Sequence, residues 1–370
     1  MKSSALIETK EWLAAQRWLL PILILIGFGL AFAIPEYGLF NKYVQLVMMY
    51  VGINIILAAS LNLVNGYMGE FSLAHAGFMA LGAYTSALLT MKVLPVAEYP
   101  GLFPLAVLAG GLVAALFGLI VAVPSFKTRG DYLALITLAF LMIVKSLIEN
   151  IDIIGGPRGI PGIRKLTTLP WVFFWTVLSL WVIRNFVYSK YGRGVLSIRE
   201  DEIASELMSV NTRRVKFLAF TLSSFFAGIA GGLFAHLLQF ISPRVFDIIK
   251  STDVLIMVYL GGIASLGGSI LGATVYTVLL ELLRPSTVGA LLSWLPDMLF
   301  DPLNEYFIRH LGVWRMVIMP LALVLVMIFW PRGIMGLREF RWFVPKRDLD
   351  AHQHQHHAER ENPHDASHRQ

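Results

Sequence analysis

The 370 residues contain no cysteine, which removes disulfide scaffolds, thiolate metal sites and cysteine nucleophiles. Charge is scarce as well: Asp, Glu, Lys and Arg make up 15% of the chain, against about 25% in average usage, while 56% of residues are hydrophobic. No G-x-x-x-x-G-K-[ST] phosphate loop occurs, so the chain is not expected to hydrolyse ATP itself. Neither H-E-x-x-H nor G-x-S-x-G is present, and His75, His236 and His310 are too scattered for a metal cluster. Catalytic and metal sites are therefore not assigned. With a mean hydropathy of +0.67, the chain reads as an all-α polytopic membrane protein.

What charge there is sits between hydrophobic runs. The net charge of +6 follows from basic loops held on one side of a bilayer and does not call for nucleic acid. Ten runs are candidate spans, each near the roughly 20 residues a bilayer asks for: 18–34, 43–64, 68–90, 102–126, 131–150, 170–188, 217–240, 253–268, 270–284 and 314–330. Lys2, Lys10 and Arg17 precede the first, and no A-x-A cleavage site follows it, so it reads as a retained span. Lys190, Arg193, Arg199, Arg213, Arg214 and Lys216 fall on one side, with Lys127, Arg129 and the bases after residue 331. Ten spans with both termini cytoplasmic satisfy the positive-inside rule, although Arg158, Arg164, Lys165, Arg244 and Lys250 weaken the bias.

Two segments are unusual for spanning helices. One runs from Gly66 through Ser72, His75, Gly77 and Gly82 to Tyr84, the other from Gly261 and Gly262 through Gly267 and Gly268 to Ala273. Small residues at this density serve close helix packing in lipid. They serve equally as broken segments whose freed backbone lines a cavity, and both readings stay open. Ser72, His75, Gly77, Gly82, Gly261, Gly262, Gly267 and Gly268 are the candidate pathway residues on the second reading.

Between two spans, residues 197–217 carry Ile203, Leu207 and Val210 at i, i+4 and i+7, one apolar stripe on a short helix among mixed charges. Such a helix either lies on the membrane surface or docks into a groove on a soluble partner. Several stretches, taken in order, resemble the M-type (LivM-type) permease subunit of branched-chain amino acid ABC importers. They are Ser72 to Thr85, Arg129 to Leu138, Gly155 to Ile160, Ile198 to Asn211, Ala227 to Leu233, Ser242-Pro243, Gly261 to Gly268 and Phe329 to Gly336. The resemblance runs from about residue 43 to 337.

The resemblance implies a channel-forming subunit of an ABC uptake system in a bacterial inner membrane. It implies pairing with a second homologous permease, a periplasmic solute-binding protein and two cytoplasmic ATPases that bind ATP and Mg, besides membrane lipid. By the same analogy Arg199, Glu200, Asp201, Glu202, Ala204, Leu207 and Asn211 belong to the element that fits the ATPase groove. Residues 1–17 would then be a cytoplasmic segment, 18–340 the permease domain with its coupling segment at 197–216, and 341–370 a disordered tail. Branched-chain amino acids are the first solute expected, urea or short amides the second.

The chain departs from the family in places. Ser209 and Ala74 stand where glycine is usual, Met142 and Lys145 where an acid and an arginine are, and loop 285–313 is long. Among ionisable groups in the runs, Lys145 and Glu149 are spaced to pair on one helical face. Asn54, Asn62 and Asn65 recur on the second span as interhelical glue or pathway lining. Glu70, His75, Lys145 and Glu149 would also have to furnish the ion relay of a self-sufficient secondary transporter or channel, the reading from another class. That reading leaves 199–216 without a role. The tail holds His352, His354, His356, His357, His364 and His368, imidazoles able to bind Zn, Cu or Ni in a stretch whose polar composition otherwise reads as disorder.

Overall fold

The computed structural model describes residues 24–96, 98–126 and 132–284, with Pro21 and scattered positions between 321 and 339. Helix dominates these. α1 (Ile24–Glu36) precedes α2 (Lys42–Asn62), which runs on through a π turn, Leu63–Tyr67. α3 (His75–Leu88) likewise ends in a π turn, Leu89–Val93. Next come α4 (Phe103–Ser125), α5 (Tyr132–Asn150) and α6 (Leu169–Val187). Two short helices, α7 (Lys190–Glu200) and α8 (Glu202–Leu207), lead into the long α9 (Thr212–Leu238), followed by α10 (Ile248–Gly261) and α11 (Leu266–Leu282). Five of these, α2 with its π turn, α4, α5, α6 and α9, are long and apolar enough to cross a membrane. The protein is an all-α, multi-pass membrane protein.

α9 is the hub: 72% of its apolar window is buried, against 33% for α5 and α6. It packs on α3, α4 and α2. Without a hydrophobic drive between helices in lipid, backbones must come close for dispersion to hold them. Gly82 of α3 allows this, since a Cβ there would lie 2.0 Å from the carbonyl oxygen of Gly228 in α9. The outward faces stay apolar, with Leu112, Leu116 and Ile120 of α4 and Leu135, Ile143 and Leu147 of α5 exposed for lipid. Two-residue strands β1 (Ile160–Pro161) and β2 (Phe240–Ile241) pair antiparallel and join the loops after α5 and α9 at one end of the bundle. α7 and α8 lie at the other end.

Most helices fall near the expected runs, and the departures have physical causes. The run 68–90 is not one helix, because residues 68–74 leave helical geometry and α3 starts at His75. The runs 253–268 and 270–284 shift to 248–261 and 266–282. Hydrophobicity alone skipped the polar first turn of α10, and Gly262 (φ 134°) and Ala264 (φ 58°) stop the helix. α9 starts at Thr212, five residues before the expected 217, because Asn211 caps it and accepts from the N–H of Arg214 at 3.0 Å. The tenth run, 314–330, the loop 285–313, the terminal segments 1–17 and 341–370 and the histidine tail lie outside the described residues, save the scattered positions.

Both breaks are satisfied by side chains from other helices. Asn62 of α2 donates to the carbonyl of Ser265 at 2.8 Å and to Ser269 Oγ at 2.8 Å, and accepts from the N–H of Ala264 at 2.9 Å. At the other break, Thr137 of α5 accepts from the N–H of Leu73 at 3.1 Å. Ser251 of α10 donates to the Leu73 carbonyl at 2.7 Å and accepts from the N–H of Ala76 at 3.2 Å. A strap from the end of the chain closes the α10–α11 turn. The N–H groups of Ile334 and Met335 bond to the carbonyls of Leu260 and Gly261, and Glu339 accepts from Leu266 and Gly267 at the start of α11. Replacing Asn62 by Leu strands buried backbone groups of the 262–265 turn. A loss of about 2–4 kcal/mol is expected, read as a lower unfolding midpoint in detergent.

Candidate functional site

The 197–217 stretch folds as two helices where one was expected. Asp201 leaves helical geometry (φ −159°, ψ 112°), ends α7 and caps α8 by accepting from the N–H of Ala204 at 3.0 Å. α8 closes at Leu207, after which Ser209 takes the left-handed conformation, φ 63°. The turn that glycine makes in the family is thus made here by a serine. Ala74, the other departure, sits at φ −73°, a conformation open to any residue. Thr212 ties the return of the chain by donating to Glu206 at 3.0 Å.

The apolar stripe divides. Val210 packs against the core, whereas Ile203 and Leu207 on this six-residue helix and Met208 just after it are 63%, 80% and 81% exposed. Behind this exposed patch lies an ion cluster. The Lys216 ammonium, in the first turns of α9, sits 2.7 Å from Glu70 and 2.8 Å from Glu202, with its own side chain 7% exposed. Arg199 pairs with Glu200 at 2.8 Å and donates to the carbonyl of Gly66 at 3.3 Å. One buried cation therefore links α8 to the α2–α3 junction, and Arg199 links α7 to the same place. Glu200 extends into solvent at 74% side-chain exposure. The two ties to the α2–α3 junction, Arg199 to Gly66 and Lys216 to Glu70, join residues 133 and 146 apart in sequence, and no local spacing announces them.

His75, Gly77 and Gly82 lie on α3 and Ser72 just before it, and all four are buried. His75 Nε2 is 3.2 Å from Ser223 Oγ, and that hydroxyl donates to the Ser60 carbonyl. Its Nδ1 has no partner among the described residues. Asn65 accepts from the N–H of Ser72 at 3.2 Å. Gly261 and Gly268 face each other across the α10–α11 turn, where a Cβ on Gly261 would lie 1.9 Å from the Gly268 oxygen. Gly262 forms the turn itself, and Gly267 receives the Glu339 carboxylate. Tight helix packing and backbone breaks thus coexist in both segments. Asn54 and Asn62 bond across helices, Asn54 to Thr277 at 2.9 Å.

The expected pairing of Lys145 with Glu149 is replaced. Lys145 bonds at 2.5 Å to Asp247, which caps α10, and a partner 102 residues away outranks the local one because α5 packs against the turn at Pro243–Val245 that leads into α10. The Lys145 ammonium holds the Asp247 carboxyl below its usual value. Among the described residues no group of His, Asp or Glu is arranged to hold a metal.

Residues 43–327 match the family described as branched-chain amino acid transport system / permease component. The chain belongs to that family. It is 35% identical to the high-affinity branched-chain amino acid transport system permease protein LivM of Escherichia coli K12, over 77% of this chain and 68% of that protein. The LivH permease of the corresponding Salmonella typhimurium system is 24% identical over 77% of this chain and 91% of its own length. The ribose import permease RbsC of Escherichia coli K12 is 24% identical over 75% and 86%. No solved structure matches.

Two outcomes test the cluster. Lys216→Met leaves Glu70 and Glu202 facing each other without their cation. Because both acids keep partial access to water, the loss is expected near 2 kcal/mol, below the 3–5 kcal/mol of a fully buried pair, and is measured by thermal melting in detergent. Ser209→Gly removes a left-handed strain of about 1–2 kcal/mol and adds about 0.4–1 kcal/mol of unfolded-state entropy, so the variant should melt slightly higher.

Proposed function

We propose that this permease forms, with a second homologous permease subunit, the path by which branched-chain amino acids enter a bacterial cell across the inner membrane. The named LivM and LivH relatives support that pairing and that solute. A periplasmic binding protein delivers the solute, and two cytoplasmic ATPases, holding ATP and Mg, drive the cycle. α7, α8 and both termini face the cytoplasm in this reading, which puts β1 and β2 on the side of solute entry.

The carrying observation is α8: three exposed apolar side chains on and just after a short helix, tied by Lys216 to the α2–α3 junction. Ile203, Leu207 and Met208 seat in a groove of the ATPase, and the surrounding charges fix orientation. Closure of the ATPases pushes α8. The push passes through Glu202, Lys216 and Glu70 to the backbone break before α3 and, through Arg199, to the π turn at Gly66. A break held by hydrogen bonds is a place where helices can rock against each other without stranding backbone groups.

The test uses Leu207→Asp with Met208→Asp. Both residues are solvent-exposed in the isolated chain, so folding should change by less than about 0.5 kcal/mol. In the assembled transporter, binding-protein-stimulated ATP hydrolysis and leucine uptake should both collapse, with the ATPases lost on purification. Full uptake by the double variant would sink the coupling assignment.

A further inference from the structure

Lys250 is a charge that the coupling scheme does not use. In sequence it looks like a loop residue; in the structure it lies in the first turn of α10, half-buried, at the end of the bundle away from α8. Of the nearby acids, Asp247, which caps the helix, pairs with Lys145, and Asp253 bonds to the Tyr276 hydroxyl and acts on Lys250 only as a charge one turn away. Among the described residues no carboxylate lies within 4.0 Å of its ammonium. Its polar contact is one long bond, 3.5 Å, to Asn54 Oδ1, whose amide nitrogen is already given to Thr277. The ammonium stands 5.9 Å from the centre of the Phe234 ring. Tyr50 and Phe246 pack edge-on against that ring, and Tyr84, whose hydroxyl is buried with no partner among the described residues, packs on Phe246.

A cation in a helix start works against the helix dipole, and in an apolar setting with no carboxylate in bonding contact it is costly to keep. The charge of Asp253, one turn on, and the Phe234 ring offset only part of that cost. We propose that Lys250, steadied by Asn54, is a station for the carboxylate of the transported amino acid on the entry side of the pathway, with the partly exposed Tyr50 ring, backed by the buried Phe234 and Phe246, bordering its apolar side chain. The assignment rests on the importer reading above and adds to it a residue that contacts solute. A carboxylate arriving here makes the direct ion contact that Asp253, one turn away, does not make, and its release toward α8 leaves the ammonium to that more distant charge. An ammonium with three donors keeps one for Asn54 while offering two to the incoming anion. A neutral sugar would find no counterpart to this charge.

The experiment uses the complete transporter, this chain with its partner permease, ATPases and binding protein, in liposomes supplied with radiolabelled leucine; uptake and ATP hydrolysis are read in the same vesicles. Lys250→Met should keep stimulated hydrolysis within about twofold and lose uptake by tenfold or more, because a charge-assisted contact to solute is gone while the ATPase contacts are intact. Lys250→Arg should restore most of the uptake. Asn54→Asp provides a second line that retains the cation: the new carboxylate occupies the ammonium in place of solute, and uptake should again fall about tenfold. Unimpaired uptake by Lys250→Met or by Asn54→Asp overturns the inference and leaves the importer reading standing. Import of ribose and not leucine by the unaltered complex would overturn both.

Discussion

In a bilayer every peptide N–H and C=O needs a partner inside the protein, because no water is there to supply one. The whole arrangement depends on how this chain meets that demand at two interruptions. At the first, Asn65, Thr137 and Ser251 take up the groups freed between Tyr67 and His75. At the second, Asn62 donates and accepts at once, an amide matched to a turn with both a free N–H and free carbonyls. Each break is thus held in part by helices other than those it separates, the first by α5 and α10 and the second by α2. α2, α3, α5, α10 and α11 are fastened at points where their own ladders lapse, and the breaks are joints of defined geometry.

The ion cluster stands on this foundation. A cation as enclosed as Lys216 is stable only because two acids reach it, and each acid belongs to a different element. That gives α8 a stiff link to the α2–α3 junction. A surface pair between two flexible side chains would hold too weakly to carry a movement. The exposed apolar residues of α8 and the enclosed charges behind them are therefore two faces of one device, the first for contact and the second for transmission.

Much of this was legible beforehand where the signal was local. Apolar runs announced α4, α5 and α6 almost to the residue, and glycine density marked both interruptions. The Asp201 and Asn211 caps follow from residue type once the helices are placed. What the linear pattern hid was long-range. Lys145 had a correctly spaced acid four residues on and took another from α10; Glu70 offered no hint of Lys216, 146 residues away. Lys250 was hidden for a subtler reason. Counting charges as loop markers pushes them out of helices, and a lysine within a first turn is filed with the loop it follows. Ser209 was flagged by family comparison alone, and its left-handed backbone supplies the reason.

The strap at Gly333–Met335 and Glu339 has a consequence for how the protein is made. The ribosome delivers α10 and α11 long before the residues that close the turn between them: Glu339 follows Leu266 by 73 positions. Until it emerges, the carbonyls of Leu260 and Gly261 and the first N–H groups of α11 lack those partners in an apolar setting. The hairpin therefore reaches its final form only after residues 334–339 have emerged, and a nascent chain that stops short of them carries an unfinished turn between α10 and α11 and not merely a missing end.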